Sequence, residues 1–159
     1  LLNSLKKFKG IEKIFTFPNF DNENETIISQ IEKFKKKNSN VKIFKSLGSI
    51  KYLSLIKFSS GVIGNSSSGI LEAPSFKIPV LNIGDRQKGR VLAKNIINSG
   101  NKEKDINKGL KKLFSRKFLN NIKNTKNPFY KKNTVENISN KLIKYKNKNL
   151  KKKFYDIYK

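Results

Sequence analysis

The sequence predicts an α/β fold in which helices flank a parallel sheet. Short apolar runs typical of buried strands alternate with segments whose apolar residues recur at helical spacing. The connections between these segments are short, which favours the strand–helix–strand units of a doubly wound parallel sheet. The length of 159 residues allows one domain with a substantial core.

The first part of the chain contains most of the predicted alternation. An apolar run ends at Pro18, as expected for a strand followed by a turn. Ile27, Ile31 and Phe34 lie at helical spacing, with acidic residues before them and lysines after them, as the helix dipole prefers. Ser49 is expected to cap the next helix. The predicted strands are 14–17, 41–44, 61–64 and 79–83, and the predicted helices are 21–37, 49–58 and 70–76.

The last third of the sequence is helical in pattern. Apolar residues recur at helical spacing over 104–114, 116–123 and 134–146. Residues 148–159 form a basic segment that we expect to be a frayed helix. We therefore predict one domain over residues 1–147, followed by a basic tail over 148–159.

The net charge of +25 has two explanations. One is a nucleic-acid-binding module held by phosphate contacts. The other is compositional bias, because Lys, Asn, Ile and Phe, which share A/T-rich codons, make up just over half of the chain. Only Arg86, Arg90 and Arg116 are arginines, although arginine is the residue best suited to phosphate and guanine recognition. We favour compositional bias and expect nucleic acid to bind only non-specifically.

Several residue types are absent from the sequence. It has no Cys and no His, which removes disulfides, thiolate metal sites and the commonest general base, so we expect neither a metal nor a cofactor. It also has no Met, which predicts that the chain is the later part of a longer reading frame. No apolar run is long enough to span a membrane and no signal peptide is recognisable, so a cytoplasmic location without membrane attachment is expected.

The stretch 61–90 is little affected by the Lys and Asn bias. Its small residues 65–69 follow a predicted strand and open a helix, a junction where free N–H groups favour a phosphate. A plain serine-rich helix cap is the alternative. Glu72 either accepts ribose hydroxyls or merely complements the helix dipole. Arg86 follows the next strand and should reach the same sheet edge, to contact a phosphate or solvent.

These segments together carry a family resemblance. Residues 64–76 (GNSSSGILEAPSF) and 79–90 (PVLNIGDRQKGR) closely resemble the hydrolysing UDP-N-acetylglucosamine 2-epimerases of sialic acid and related nonulosonic acid biosynthesis. Segments 17–21, 46–48 and 52–55 also resemble the family, as does 127–132, where the family's glycines are replaced. The resemblance covers most of the chain, from Lys13 to Tyr145.

The resemblance implies a fold and a binding site. The family has a two-domain GT-B architecture, and this chain corresponds to the C-terminal, Rossmann-like half that binds the nucleotide. Ser66 and Ser67 would bind the diphosphate, Glu72 the ribose hydroxyls and Arg86 a phosphate. The other site residues implied by the resemblance are Asn65 and Gly69 of the same loop, and Leu47 and Tyr52 near the uracil.

The resemblance also implies what this chain lacks. The family eliminates UDP to form a 2-acetamidoglucal and then adds water, yielding N-acetylmannosamine and UDP. Its nucleotide-contacting histidine and its acid and base groups belong to segments before Leu1, so no catalytic residue is assigned here. The expected partners are a UDP-sugar and an N-terminal domain, in cis or as a split subunit, with a homo-oligomer as a further expectation. A GT-B glycosyltransferase domain is an alternative that the NIGDRQ-x-GR run disfavours.

Overall fold

The structure, a computed structural model, describes residues 1–18 and 24–145. Its strands are β1 (Lys13–Thr16), β2 (Val41–Phe44), β3 (Val62–Gly64), β4 (Val80–Ile83) and β5 (Ile96–Ser99). Its α-helices are α1 (Leu2–Leu5), α2 (Asn24–Lys36), α3 (Gly48–Phe58), α4 (Ser68–Leu71), α5 (Glu103–Leu113), α6 (Arg116–Asn121) and α7 (Thr134–Lys144). A 3-10 helix covers Ala73–Phe76.

All strand pairs in the described residues are parallel, which confirms the predicted α/β class. β1 pairs with β2 in one sheet, with Lys13 opposite Val41. β3, β4 and β5 form a second sheet in that order. The parallel strands are therefore divided between two hydrogen-bonded sheets, because β1 and β3 do not pair with each other.

The core lies between the three-stranded sheet and α5. Leu81 on β4 and Leu110 and Leu113 on α5 are fully buried in the larger hydrophobic cluster. Gly109 makes this close packing possible, because a Cβ there would lie 2.4 Å from Leu81 Cδ1. A smaller cluster of Ile56, Ala73 and Val80 packs α3 and the 3-10 helix against β4.

Two details of the predicted helices are wrong. The single helix expected over 70–76 is instead α4 followed by the 3-10 helix, since Pro74 has no N–H with which to continue α-helical bonding. Ser49 does not cap α3, which already begins at Gly48 with Leu47 in the N-cap position. The Gly48 N–H instead donates to Ser46 Oγ at 3.3 Å.

Two elements were not predicted from the sequence, α1 and β5. β5 has only two apolar residues before Asn98, too few to indicate a strand. Two asparagines, one just before β5 and one within it, bond to β4 and to the residues that lead into it. The fully buried Asn95 donates to the Ile78 carbonyl at 2.6 Å, and Asn98 accepts from Asn82 at 2.9 Å.

The chain separates into two compact units, Leu1–Pro128 and Phe129–Lys159. The first contains both sheets and the segments predicted to bind the nucleotide. In the second, Thr134 Oγ1 at the start of α7 donates to the Lys131 carbonyl at 2.7 Å. The predicted basic tail, 148–159, lies outside the described residues, and the domain over 1–147 stays a prediction. None of the helices in the described ranges is long and apolar enough to cross a membrane.

Candidate functional site

The loops after β3 and β4 lie at the same edge of the sheet, because these neighbouring strands are parallel. The β3 loop begins at Asn65, and the β4 loop carries Arg86. One hydrogen bond joins the two loops. The side-chain Nε2 of Gln87 donates to the Asn65 carbonyl oxygen at 2.8 Å. The structure thus brings together two segments that the sequence predicted to share one site.

The β3 loop presents backbone N–H groups at its turn. The Ser68 N–H donates to Ser66 Oγ at 3.3 Å, and the Leu71 N–H donates to the Ser67 carbonyl at 2.8 Å. The N–H groups of Ser66 and Ser67 have no acceptor among the described residues. α4 is a single turn, so its dipole is small, and the groups able to attract an anion here are these individual donors and the nearby side chains.

Ser66 and Ser67 differ in how their hydroxyls are used. Ser66 Oγ accepts the Ser68 N–H, which shapes the turn. Ser67 is in the N-cap position of α4, but its side chain makes no capping hydrogen bond. Its half-buried hydroxyl is therefore available to a ligand without loss of a cap.

Gly69 brings α4 into close contact with the sheet. A Cβ at this position would lie 2.9 Å from Val80 Cγ1, closer than real Cβ atoms approach. Because Gly69 is buried against β4, it fixes the distance between the loop and the sheet. The geometry thus gives Gly69 a packing role, while its contact with a ligand stays a prediction.

Three polar side chains form a hydrogen-bonded relay beside this loop. Tyr52 on α3 donates its hydroxyl to Ser68 Oγ at 2.9 Å, and Ser68 Oγ donates to Glu72 Oε2. All three residues are half-buried. The relay orients the Glu72 carboxylate through Oε2, and within the described residues Oε1 is left to accept from another hydroxyl.

The β4 loop supplies positive charge at the same edge. Arg86, Lys88 and Arg90 are all exposed there, with the single acidic side chain of Asp85 among them. Gln87 is different, because only 5% of it is exposed and it points back into the protein. Its Oε1 is buried and has no hydrogen-bond partner among the described residues.

Leu47 is the predicted site residue that the structure connects least to the others. It follows β2 and lies in the N-cap position of α3, half-buried. No hydrogen bond joins it to the β3 or β4 loop within residues 1–18 and 24–145. The described residues also contain no cluster of three acidic, His or Cys side chains able to hold a metal ion.

Sequence reasoning missed three residues that organise this region. Ser68 is the centre of the relay, and Gln87 joins the two loops. Asn127 donates from Nδ2 to the Leu71 carbonyl at 2.8 Å and to Ser75 Oγ at 2.7 Å, which holds α4 and the 3-10 helix. All three lie in segments that carried the family resemblance, but no pattern indicated which distant partner each would contact.

Comparison with known proteins assigns the sequence of this chain to a family. The family model described as UDP-N-acetylglucosamine 2-epimerase matches residues 1–143. The chain belongs to this epimerase family. The chain is 48% identical over 123 residues to the GDP/UDP-N,N'-diacetylbacillosamine 2-epimerase (hydrolyzing) of Campylobacter jejuni, covering 76% of this chain and 31% of that protein. It is 38% identical to the polysialic acid biosynthesis protein P7 of Escherichia coli, covering 99% of this chain and 41% of that protein.

Solved structures of epimerases share the fold. The UDP-GlcNAc 2-epimerase of Neisseria meningitidis bound to UDP-GlcNAc matches 91% of this chain and 39% of its own, with a TM-score of 0.69 and 20% identity. The Methanocaldococcus jannaschii UDP-GlcNAc 2-epimerase in complex with UDP-GlcNAc and UDP matches 90% and 38%, with a TM-score of 0.71 and 21% identity. The epimerase-family chain therefore spans about two fifths of the length of these structures.

Proposed function

We propose that this chain is the nucleotide-binding half of a hydrolysing UDP-2-acetamido-sugar 2-epimerase. The observation that carries the proposal is the junction after β3, where the N–H groups of Ser66 and Ser67, which have no acceptor in the described part of the chain, lie beside the oriented carboxylate of Glu72. A nucleoside diphosphate needs both features, donors for its phosphates and an acceptor for its ribose hydroxyls. Membership of the epimerase family supports UDP as that nucleotide.

The geometry of the two loops supports the proposed phosphate and ribose contacts. The Ser66 and Ser67 N–H groups and the Ser67 hydroxyl donate to the diphosphate. Arg86, held close by the Gln87–Asn65 hydrogen bond, pairs with a phosphate oxygen. Glu72 Oε1 accepts from a ribose hydroxyl. The family resemblance, and not a contact in the structure, supports Tyr52 and Leu47 as neighbours of the base.

The proposed role of this chain is to bind and orient the nucleotide. The substrate is UDP-N-acetylglucosamine or a related UDP-2-acetamido sugar, and the proton transfers at C2 of the sugar belong to residues outside this chain. The alternative of a glycosyltransferase domain is disfavoured by the family match. The isolated 159-residue chain should therefore bind UDP and show no epimerase turnover.

Isothermal titration with UDP tests the site directly. Ser67→Ala removes a hydroxyl that caps nothing, and Arg86→Ala removes one charge from the β4 loop. A lost charge-assisted hydrogen bond costs about 1.5–3 kcal/mol, so each variant should bind UDP about 10- to 100-fold more weakly. Equal affinity in the wild type and both variants would contradict the site.

Matched controls separate specific contacts from general attraction. Arg116→Ala removes the same charge from the exposed start of α6, and Ser54→Ala removes an exposed hydroxyl whose only described partner is the Ile50 carbonyl of its own helix. Both should leave UDP affinity unchanged. If Arg116→Ala weakens binding as much as Arg86→Ala, the attraction comes from the net charge of +25 and not from the site.

A basic nucleic-acid-binding module is the competing function, because the net charge is +25. It predicts tight RNA binding with a steep salt dependence and no preference for UDP over other anions. A preference for UDP over an equally charged anion such as pyrophosphate, retained at about 150 mM salt, favours the epimerase proposal.

A further inference from the structure

Asp85 lies at the point where β4 leaves the sheet. The Gly84 N–H donates to the Ser99 carbonyl at 2.8 Å, which extends the bonding of β4 to β5 by one residue. A turn follows, in which the Lys88 N–H donates to the Asp85 carbonyl at 2.7 Å. Asp85 is therefore at the root of the β4 loop, at the sheet edge that carries the proposed nucleotide site.

The strand register relates Asp85 to the β3 loop. Gly64 at the end of β3 is opposite Asn82 on β4, so Ser67 and Asp85 are each three residues beyond a paired position. The hydrogen bond between the two loops then keeps them together beyond the sheet. The Asp85 carboxylate is thus on the loop that adjoins the proposed phosphate donors.

The two common structural roles of such a carboxylate are not used. An aspartate at the first position of a turn commonly accepts from the backbone N–H two residues later, and an aspartate among cations commonly forms ion pairs. Within residues 1–18 and 24–145 the Asp85 carboxylate makes neither bond, although Arg86, Lys88 and Arg90 share its loop. The side chain is exposed, so it is open to a ligand.

A carboxylate at this position is unfavourable for phosphate binding alone. Asp85 offsets one of the positive charges of the loop, and its own charge repels a diphosphate. The chain has 11 acidic residues against 36 basic ones, so a negative charge is unusual for this protein. A hydrogen-bond donor on the same ligand offsets the repulsion, because a charged acceptor makes the stronger kind of hydrogen bond.

The ribose of the proposed ligand already has its acceptor. Its hydroxyls are assigned to Glu72, which the relay ties to Tyr52 on α3. Asp85 is instead on the β4 loop, directly before Arg86, the proposed partner of a phosphate. The group on the far side of the diphosphate is the sugar, whose hydroxyls and acetamido N–H are hydrogen-bond donors.

We propose that Asp85 binds the sugar of the UDP-2-acetamido sugar, by accepting hydrogen bonds from its hydroxyl or acetamido N–H groups. This contact rests on the proposed function, because it needs the diphosphate to be held by Ser66, Ser67 and Arg86. Asp85 is then a specificity-determining residue, which favours the UDP-sugar over a nucleotide that lacks the sugar. It transfers no proton.

Isothermal titration with two ligands of equal charge tests the contact. One is UDP-N-acetylglucosamine, and the other is the β-methyl ester of UDP, which has a methyl group in place of the sugar. The 159-residue chain should bind the UDP-sugar more tightly than the ester. In Asp85→Ala this preference should fall about 10-fold or more, and Asp85→Asn, which keeps a neutral acceptor, should lose less.

The ester measures the electrostatic effect of the carboxylate by itself. Removal of a negative charge beside the phosphates should raise ester affinity or leave it unchanged, while UDP-sugar affinity falls. Glu32→Gln removes the same charge from an exposed position of α2 and should leave the preference unchanged. Since Asp85 is exposed, the urea midpoint of Asp85→Ala should equal that of the wild type.

Two further UDP-sugars identify the donor. UDP-glucose has a hydroxyl in place of the acetamido group, and UDP-N-acetylgalactosamine has an inverted C4 hydroxyl. A ligand that binds the wild type and Asp85→Ala equally lacks the group that Asp85 contacts. If both ligands still bind the variant more weakly, the donor is a hydroxyl that all three sugars share.

Three results would overturn the contact: a wild-type chain that does not prefer UDP-N-acetylglucosamine to the ester, an equal preference in Asp85→Ala, or an equal loss of affinity for both ligands. Each of these leaves the nucleotide site intact if the ester still binds the wild type. Failure of the ester and of UDP to bind the wild type would instead overturn the proposed function.

Discussion

Gln87 on the β4 loop donates its side-chain amide to the backbone carbonyl of Asn65 on the β3 loop, at 2.8 Å. These residues are 22 positions apart in the chain. Since the Gln87 side chain is buried, the bond is partly shielded from water and holds the two loops together. The proposed phosphate donors on one loop and Arg86 on the other are thereby placed relative to each other.

Gln87→Leu should loosen this connection. The Asn65 carbonyl loses its buried donor, which costs about 1–2 kcal/mol of unfolding free energy, partly offset because the unpartnered Oε1 is removed as well. UDP affinity should fall more than this small loss of stability explains, since the loops are no longer held together. Urea unfolding and UDP titration measure the two effects. Gln30→Leu, the same change at an exposed position of α2, is the control, and unchanged UDP affinity in Gln87→Leu would contradict a positioning role.

Gly69→Ala should destabilise the first unit by about 1–3 kcal/mol, because the added methyl group meets Val80 Cγ1. Val80→Ala should make room for it, so the double variant should lose less than the sum of the single losses. Gly10→Ala is the matched control, with no atom within 4 Å of the added Cβ. Urea unfolding of the four variants checks this, and additive losses would exclude the Gly69–Val80 contact as the cause.

Tyr52→Phe and Ser68→Ala should act non-additively. Tyr52→Phe removes the Tyr52–Ser68 bond and Ser68→Ala removes both bonds of the relay, so each should cost about 0.5–1.5 kcal/mol, and Tyr52→Phe should cost little once Ser68 has been replaced by Ala. Both should weaken binding of UDP more than binding of pyrophosphate, since the relay orients the proposed ribose acceptor. A double-mutant cycle by urea unfolding measures the coupling, and a coupling energy near zero would show that the relay does not act as a unit.

Burial lowers the pKa of the Lys13 amine below its ordinary value near 10.5. Between the lowered and the ordinary pKa, the unfolded state holds more protons than the folded state, so the contribution of Lys13 to stability rises with pH. Lys13→Met removes this titration but keeps the length of the side chain. The unfolding free energy of the wild type relative to Lys13→Met should therefore increase between about pH 7 and about pH 10. A difference that is constant or decreases with pH would contradict the sign.

The predictable parts of the fold were those encoded by local pattern. The apolar runs before Pro18 and before Asn65 indicated strands, because a buried parallel strand needs consecutive apolar residues. The spacing of Ile31 and Phe34 indicated α2, because residues three or four positions apart lie on the same face of a helix. β5 was missed because Ile96 and Ile97 are too few for a pattern, and it forms a strand because β4 supplies its partner.

The sequence by itself determined the α/β class, the small-residue junction at Ser66 and Ser67, and the family to which the chain belongs. Only the tertiary structure decided that Tyr52 and Ser68 orient Glu72, that Gln87 joins two loops, and that β1 and β3 do not pair with each other. The physical reason is that strand and helix patterns are set by neighbours in the chain. Hydrogen-bond partners and strand order depend instead on which distant segments the packed core brings together.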